Sequence, residues 1–147
     1  MGLNEGAVHI EIRINKDGIF LVDIAARSIG GYCSEVLQFP NKITLEEIIL
    51  NNSLGKKYDG VMNQDIHGVM MIPTRSEGIF QEILGVERAK KTKLITHIKI
   101  AVHKGKKIKK LPKANIYLGF IFAKGNNKNE VVRALQNAHK HIKVQLK

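Results

Sequence analysis

Val8, Ile10, Ile12 and Ile14 alternate without a break with His9, Glu11 and Arg13. Side chains of period two stand on opposite faces of a strand, so this run folds as a half-buried strand and not as a helix. A second apolar run, Ile19 to Ala25, follows after Asn15, Lys16, Asp17 and Gly18. A short polar turn ending in glycine joins the two runs as an antiparallel hairpin. Its register follows from the loop. If Lys16, Asp17 and Gly18 form a three-residue loop, Ile14 pairs with Phe20, Ile12 with Val22 and Ile10 with Ile24. All six side chains then share one face. A slip of one residue scatters them, at about 1.5–3 kcal/mol for each large side chain exposed.

The same register sets Glu11 opposite Asp23 on the other face, with Cβ atoms about 4.5–5.5 Å apart. Two carboxylates so placed repel unless one is protonated or a cation lies between them. Magnesium suits oxygen donors of this kind. The plainer alternative is a solvent face on which each acid pairs with a basic neighbour, and Arg13 is on that face. Arg27 stands four residues beyond Asp23, where the strand ends, and a guanidinium there suits a phosphate or carboxylate. Ser28, Gly30 and Gly31 follow. Glycines let backbone approach a ligand closely, and exposed N–H groups bind anions.

The remaining sequence reads as mixed helix and strand. A short helix is expected over 32–38. Thr44 and Glu47 form a capping box, which starts a helix over 45–54 that stops at Gly55. Residues 56–66 are polar and turn-rich and mark a boundary. Strands are expected at 68–72, ended by Pro73; at Ile79 and Phe80; over 94–102, with Leu94, Ile98, Ile100 and Val102 on one side; and over 116–123. Val131, Leu135, Ala138 and Ile142 recur at helical spacing, giving an amphipathic helix from Asn129 to about Lys143. The fold class is α+β with antiparallel pairing.

Composition narrows the function. Hydrophobic residues are 44% and charged residues 25% of the 147, the balance of a globular chain. Cys33 is the single cysteine, which rules out a disulfide framework and points to a reducing compartment. Its best reading is a small buried thiol. The N-terminus lacks the regions of a signal peptide and no apolar run is long enough to span a bilayer, so the expected location is the cytoplasm. Six histidines without zinc-ligand spacing offer no zinc site. The net charge of +11 favours anionic partners, and six lysines fall between Lys104 and Lys113. The plain reading of those lysines is a solvated hairpin, and of the basic end from His139 to Lys147 a frayed tail.

His9 and Glu11 on one strand, then Asp23, Arg27, Ser28, Gly30 and Gly31, resemble the C-terminal lobe of ATP-grasp carboxylate–amine ligases, in the branch of the L-amino-acid ligases. The helix opened by Thr44, Leu45, Glu46 and Glu47 is similar to the helix that follows in that branch. Gly68 to Pro73, Tyr117 to Ala123 and the final helix resemble its C-terminal accessory domain. The resemblance implies two parts, residues 1–60 from the ATP-grasp lobe (a hairpin plus helices) and residues 61–147 a β-rich accessory domain ending in a helix.

It also implies roles. Glu11 and Asp23 match the acids that hold magnesium between the phosphates of ATP. Arg27 matches the arginine that steadies the transferring phosphoryl group, and so is the catalytic candidate. Ser28, Gly30 and Gly31 match the loop beside the carboxylate and amine substrates. Asp23 stands where the family usually carries glutamate, and Ala25 where many members carry an asparagine ligand. The implied reaction forms an acyl-phosphate from ATP and a carboxylate, and an amine then displaces the phosphate. The lobes that close over ATP from the other side are not in this sequence. The chain is therefore expected to be a fragment or subunit, inactive without those lobes, that meets a separately encoded N-terminal half or a second copy. The alternative is a basic binding or regulatory module for RNA or protein, although 5% aromatic residues and no tryptophan leave few stacking platforms for nucleic acid.

Overall fold

The computed structural model describes every residue except Met1, Leu3 and Asn115. Met1 and Leu3 belong to the N-terminal stretch read above for a targeting signal, and that reading lies partly outside the described residues. The chain forms two compact units, residues 1–63 and 64–147. Among the described residues, antiparallel sheets and three α-helices give the expected α+β class.

In the first unit, β1 (His9–Asn15) pairs with β2 (Gly18–Ala25) as a two-stranded hairpin. Short 3-10 turns follow at Cys33–Val36, within the stretch where a helix was expected, and at Pro40–Lys42. Helix α1 (Leu45–Ser53) opens on the expected capping box: the Glu47 amide donates to the Thr44 hydroxyl (3.1 Å) and the Thr44 amide to the Glu47 carboxylate (2.7 Å). Those bonds satisfy two of the N–H groups that a helix start leaves without partners. The helix ends at the C-cap residue Leu54, before Gly55.

The hairpin register differs from the expected one. The turn is two residues, Lys16 and Asp17, closed by an Asn15–Gly18 pair. The Asn15 side-chain oxygen accepts from the Asp17 amide at 2.8 Å, so asparagine shapes the turn by itself and Gly18 (φ 137°) takes the conformation that follows. Ile14 therefore pairs with Ile19, Arg13 with Phe20 and Ile12 with Leu21. A bulge beyond Ile12 leaves Val22 without an opposite residue and restores the expected pairs Glu11–Asp23 and Ile10–Ile24. Phe20 thus shares a face with Arg13 and the acids, and Leu21 takes its place on the apolar face.

The second unit contains a sheet in the order β3 (Ile66–Ile72), β7 (Gly119–Gly125), β5 (Ile95–Ile100), and another in the order β6 (Lys107–Ile108), β4 (Gly78–Leu84), β8 (Lys143–Leu146). Helix α2 (Val86–Lys90) precedes β5, and α3 (Lys128–His141) packs on β3 and β7. α3 begins at Asn127, whose side chain accepts from the Glu130 amide at 2.9 Å. Its buried residues Val131, Ala134, Leu135 and Ala138 repeat at helical spacing, as the sequence implies. Gly68 lets it approach: a Cβ there would lie 2.6 Å from Val131 Cγ1. The central strand β7 is buried from Gly119 to Ala123, the reading of a strand covered on both faces. The Phe122 ring on it is covered by His97, stacked at 4.0 Å.

Two elements of this unit lie where the sequence suggested solvated chain, and a third where it suggested no element. β6 falls within the lysine run, where Ile108 is 1% exposed among exposed lysines. β8 lies in the supposed tail and pairs with β4, which is itself longer than the two residues expected. α2 opens at Gly85 in a stretch given no element. In β5 a bulge after Ile95 brings Ile95 into phase with Ile98; Ile95, Ile98 and Val102 pack on the core, while Ile100, opposite Gly119, stays 38% exposed.

Candidate functional site

The hairpin brings two of the singled-out residues together. Glu11 lies directly opposite Asp23, and both are exposed. Directly opposed residues share a sheet face, so the two carboxylates form an oxygen-donor pair open to solvent. No ion pair joins Arg13 to either acid among the described residues. No group of three or more histidine, cysteine, aspartate or glutamate side chains is placed to hold a metal among those residues. On this face the carboxylates that the described residues bring together are Glu11 and Asp23. That suits magnesium, which is commonly held by one or two carboxylates with phosphate oxygens and water completing its shell.

Arg27 follows the strand end. Its amide donates to the Ala25 carbonyl (2.9 Å) and its guanidinium to the neighbouring Ser28 carbonyl (2.9 Å). The side chain is exposed and its other N–H groups stay available to an anion. Gly31 (φ 64°) and Tyr32 (φ 56°) are consecutive left-handed residues that turn the chain sharply after Gly30. Left-handed backbone at a tyrosine is uncommon and costs energy that the surrounding turn must offset. Gly30 accepts from the Cys33 amide at 3.2 Å, and burial pushes the Cys33 thiol above its ordinary pKa. The thiol is thus less reactive than a free cysteine.

Ser28 lines a cavity of about 690 Å³ with His9, Asn52 and Tyr58, walled by Val8, Ile29, Leu45 and Ile48 among others. Gly30 and Gly31 are not part of its lining. The His9 Nδ1 and the Tyr58 hydroxyl are buried and have no hydrogen-bond partner among the described residues. Unpartnered buried polar atoms are costly, and a water or polar ligand that meets them removes the cost. Tyr58 escaped the sequence reading because it lies in a polar, turn-rich stretch. An aromatic residue there, edge-on to Phe39 at 5.9 Å, was the available signal.

The first unit has no buried residue among those described. Val8, Ile10, Ile12, Ile14, Ile19, Phe20, Leu21 and Val22 are all exposed, Ile14 and Ile19 to 69%. Ile10, Ile12, Ile14, Ile19 and Leu21 share one face of the hairpin, and an exposed apolar face of this kind is characteristic of an interaction site.

A profile described as L-amino acid ligase C-terminal domain 2 matches residues 70–147. Among solved structures, an L-amino acid ligase from Bacillus licheniformis superposes with a TM-score of 0.80 at 23% identity, over 99% of this chain and 37% of that one. A phosphoribosylglycinamide synthetase from Anaerococcus prevotii gives 0.78 at 19% identity, over 99% and 38%. An N5-carboxyaminoimidazole ribonucleotide synthetase from Thermotoga maritima gives 0.75 at 14%, over 97% and 38%. These likenesses show a shared fold, and this chain spans less than two-fifths of the length of each of the three. No curated protein matches in sequence. No helix among the described residues is long and apolar enough to cross a membrane.

Proposed function

This chain belongs to the family of the L-amino acid ligase C-terminal domain 2, and on that premise we propose that its first unit contributes the magnesium and ATP-phosphate half of a carboxylate–amine ligase site. The observation that carries the reading is the Glu11–Asp23 pair, kept in opposition by a bulge although the turn has changed register. Residues 1–60 are then the ATP-grasp part and residues 61–147 the accessory domain.

The overall reaction balances as two displacements. A carboxylate oxygen bonds to the γ-phosphorus of ATP as the bond to the bridging oxygen breaks and ADP leaves. An amine nitrogen then bonds to the acyl carbon, the acyl carbon–oxygen bond breaks, and phosphate departs as the amine loses a proton. Magnesium, when bound, supplies neutralisation of phosphate charge. Glu11 and Asp23 offer it oxygen donors on one sheet face. Arg27, whose guanidinium donates to the Ser28 carbonyl, turns outward to pair with phosphoryl oxygens and offset their growing charge. Ser28 presents a hydroxyl to the cavity shared with His9 and Tyr58, where a small substrate meets polar atoms that lack partners. Gly30 and Gly31 shape the turn beside it.

The exposed apolar hairpin supports a further element of the reading. The ligase site is completed by polypeptide that covers Ile10, Ile12, Ile14, Ile19 and Leu21, supplied by ATP-grasp lobes or by a second copy. The cation site is testable with manganese as a paramagnetic probe. In the presence of ADP, manganese is expected to broaden the amide signals of residues 10–12 and 22–24 before those of the second unit. Uniform broadening along the chain, or broadening centred elsewhere, contradicts the assignment.

A further inference from the structure

The second unit holds a cavity of about 230 Å³ that uses no residue of the first unit. It is smaller than the ~300–1,000 Å³ of pockets for drug-sized ligands, so its occupant is a small metabolite. Its lining divides by chemistry. Ile108 and Leu118, each 1% exposed, belong to the apolar wall. Thr74, Arg75, Ser76 and His139 supply its polar groups, and no aspartate or glutamate lines it. The acid nearest in sequence, Glu77, lies outside the lining and accepts from the Lys110 amide at 3.4 Å.

Thr74 carries the argument furthest. It is 1% exposed, yet its hydroxyl has no hydrogen-bond partner among the described residues. A buried hydroxyl without a partner is destabilising unless something else meets it. Valine would fill the same space without that cost. Arg75 lies in the loop between β3 and β4, and its charge reaches His139, which burial first and Arg75 second hold toward the neutral form. The lining of this one cavity thus contains a guanidinium, two hydroxyls and an imidazole held toward its neutral form beside apolar side chains, with no aspartate or glutamate of the described residues among them.

We propose that this cavity is a binding site for a small aliphatic carboxylate without an α-ammonium group. The carboxylate meets Arg75, with Thr74 and Ser76 as further donors, and the hydrocarbon lies against Ile108 and Leu118. The missing acid argues against an amino-acid zwitterion, whose ammonium group would find no carboxylate there.

The test is titration of the full chain with 4-methylpentanoate, its neutral amide 4-methylpentanamide, leucine and inorganic phosphate, followed by amide NMR. The carboxylate is expected to shift the amides of residues 72–76 and 139–146 at millimolar concentration or below. The amide, leucine and phosphate are expected to bind about tenfold more weakly or not at all. Arg75→Ala, an exposed position, is expected to weaken the carboxylate about tenfold. Thr74→Val is expected to lower affinity while leaving thermal stability equal or higher, a combination that a purely structural hydroxyl does not give. Absence of shifts at millimolar carboxylate overturns the proposal. So does equal binding of the amide, leucine or phosphate, or affinity unchanged by Arg75→Ala.

Discussion

Glu11 faces Asp23 across the β1–β2 ladder although the two-residue turn has moved every pair between them and the loop by one position. Val22 absorbs the difference as the extra residue of the bulge. Bulges re-aim side chains and recur beside active sites. Deleting Val22 should therefore leave the acids opposed in an unbroken ladder. Cross-strand contacts between Glu11 and Asp23 and between Ile12 and Leu21 should both persist in NMR spectra of the deletion. Loss of the Glu11–Asp23 contact would contradict the account of Val22 as the residue that offsets the shorter turn.

Ile108 separates a structural strand from a solvated lysine loop. Ile108→Ala should destabilise the second unit by about 2–5 kcal/mol, because it empties a fully buried position. Lys107→Ala, one residue away and exposed, should change stability by about 0.5 kcal/mol or less. Urea unfolding followed by circular dichroism distinguishes the two.

Helix α1 should respond to its cap and to acid. Thr44→Ala removes the acceptor of the Glu47 amide and should cost about 1 kcal/mol of local helix stability, seen as faster amide exchange over 45–53. The Thr44 backbone amide first, and its hydroxyl second, hold the Glu47 carboxyl below its ordinary 4.5. The folded value is depressed, so this contribution is present above pH 4.5 and is lost as pH falls through the folded value. Glu47→Gln should remove that acid dependence from the exchange rates.

His67 and His139 give the second unit a different pH dependence. Burial is the main cause that holds both below the ordinary 6.5, with Lys124 adding for His67 against Asp65, and Arg75 adding for His139. The unfolded chain then binds more protons just below pH 6.5, so stability declines as pH falls through 6.5 toward the folded values. The double variant His67→Gln and His139→Gln should unfold in urea with a flatter midpoint-against-pH curve between pH 7 and about 5.5.

Much of this fold is legible from residues alone. The capping box at Thr44, the helical spacing of Val131, Leu135 and Ala138, and the continuous apolar run of β7 all state their structures locally. The acid pair is legible too: the expected register places Glu11 opposite Asp23, and the bulge offsets the one-residue change in the turn. What escaped depends on tertiary context. Asn15 chose the shorter turn through its own side chain, and a compensating bulge is invisible to periodicity. β6 and β8 are short, lysine-bearing strands that exist because β4 offers them ladder partners. His9 and Tyr58 meet at one cavity through chain folding that no spacing in the sequence announces.

The central claim is that Glu11 and Asp23 serve a magnesium nucleotide. Calorimetric titration of the chain with ADP in excess magnesium, repeated on Glu11→Ala plus Asp23→Ala, tests it most directly. The account predicts magnesium-dependent binding that disappears in the double variant while the urea midpoint of the second unit stays unchanged. Binding of equal strength in the double variant, or no binding at millimolar ADP, contradicts it.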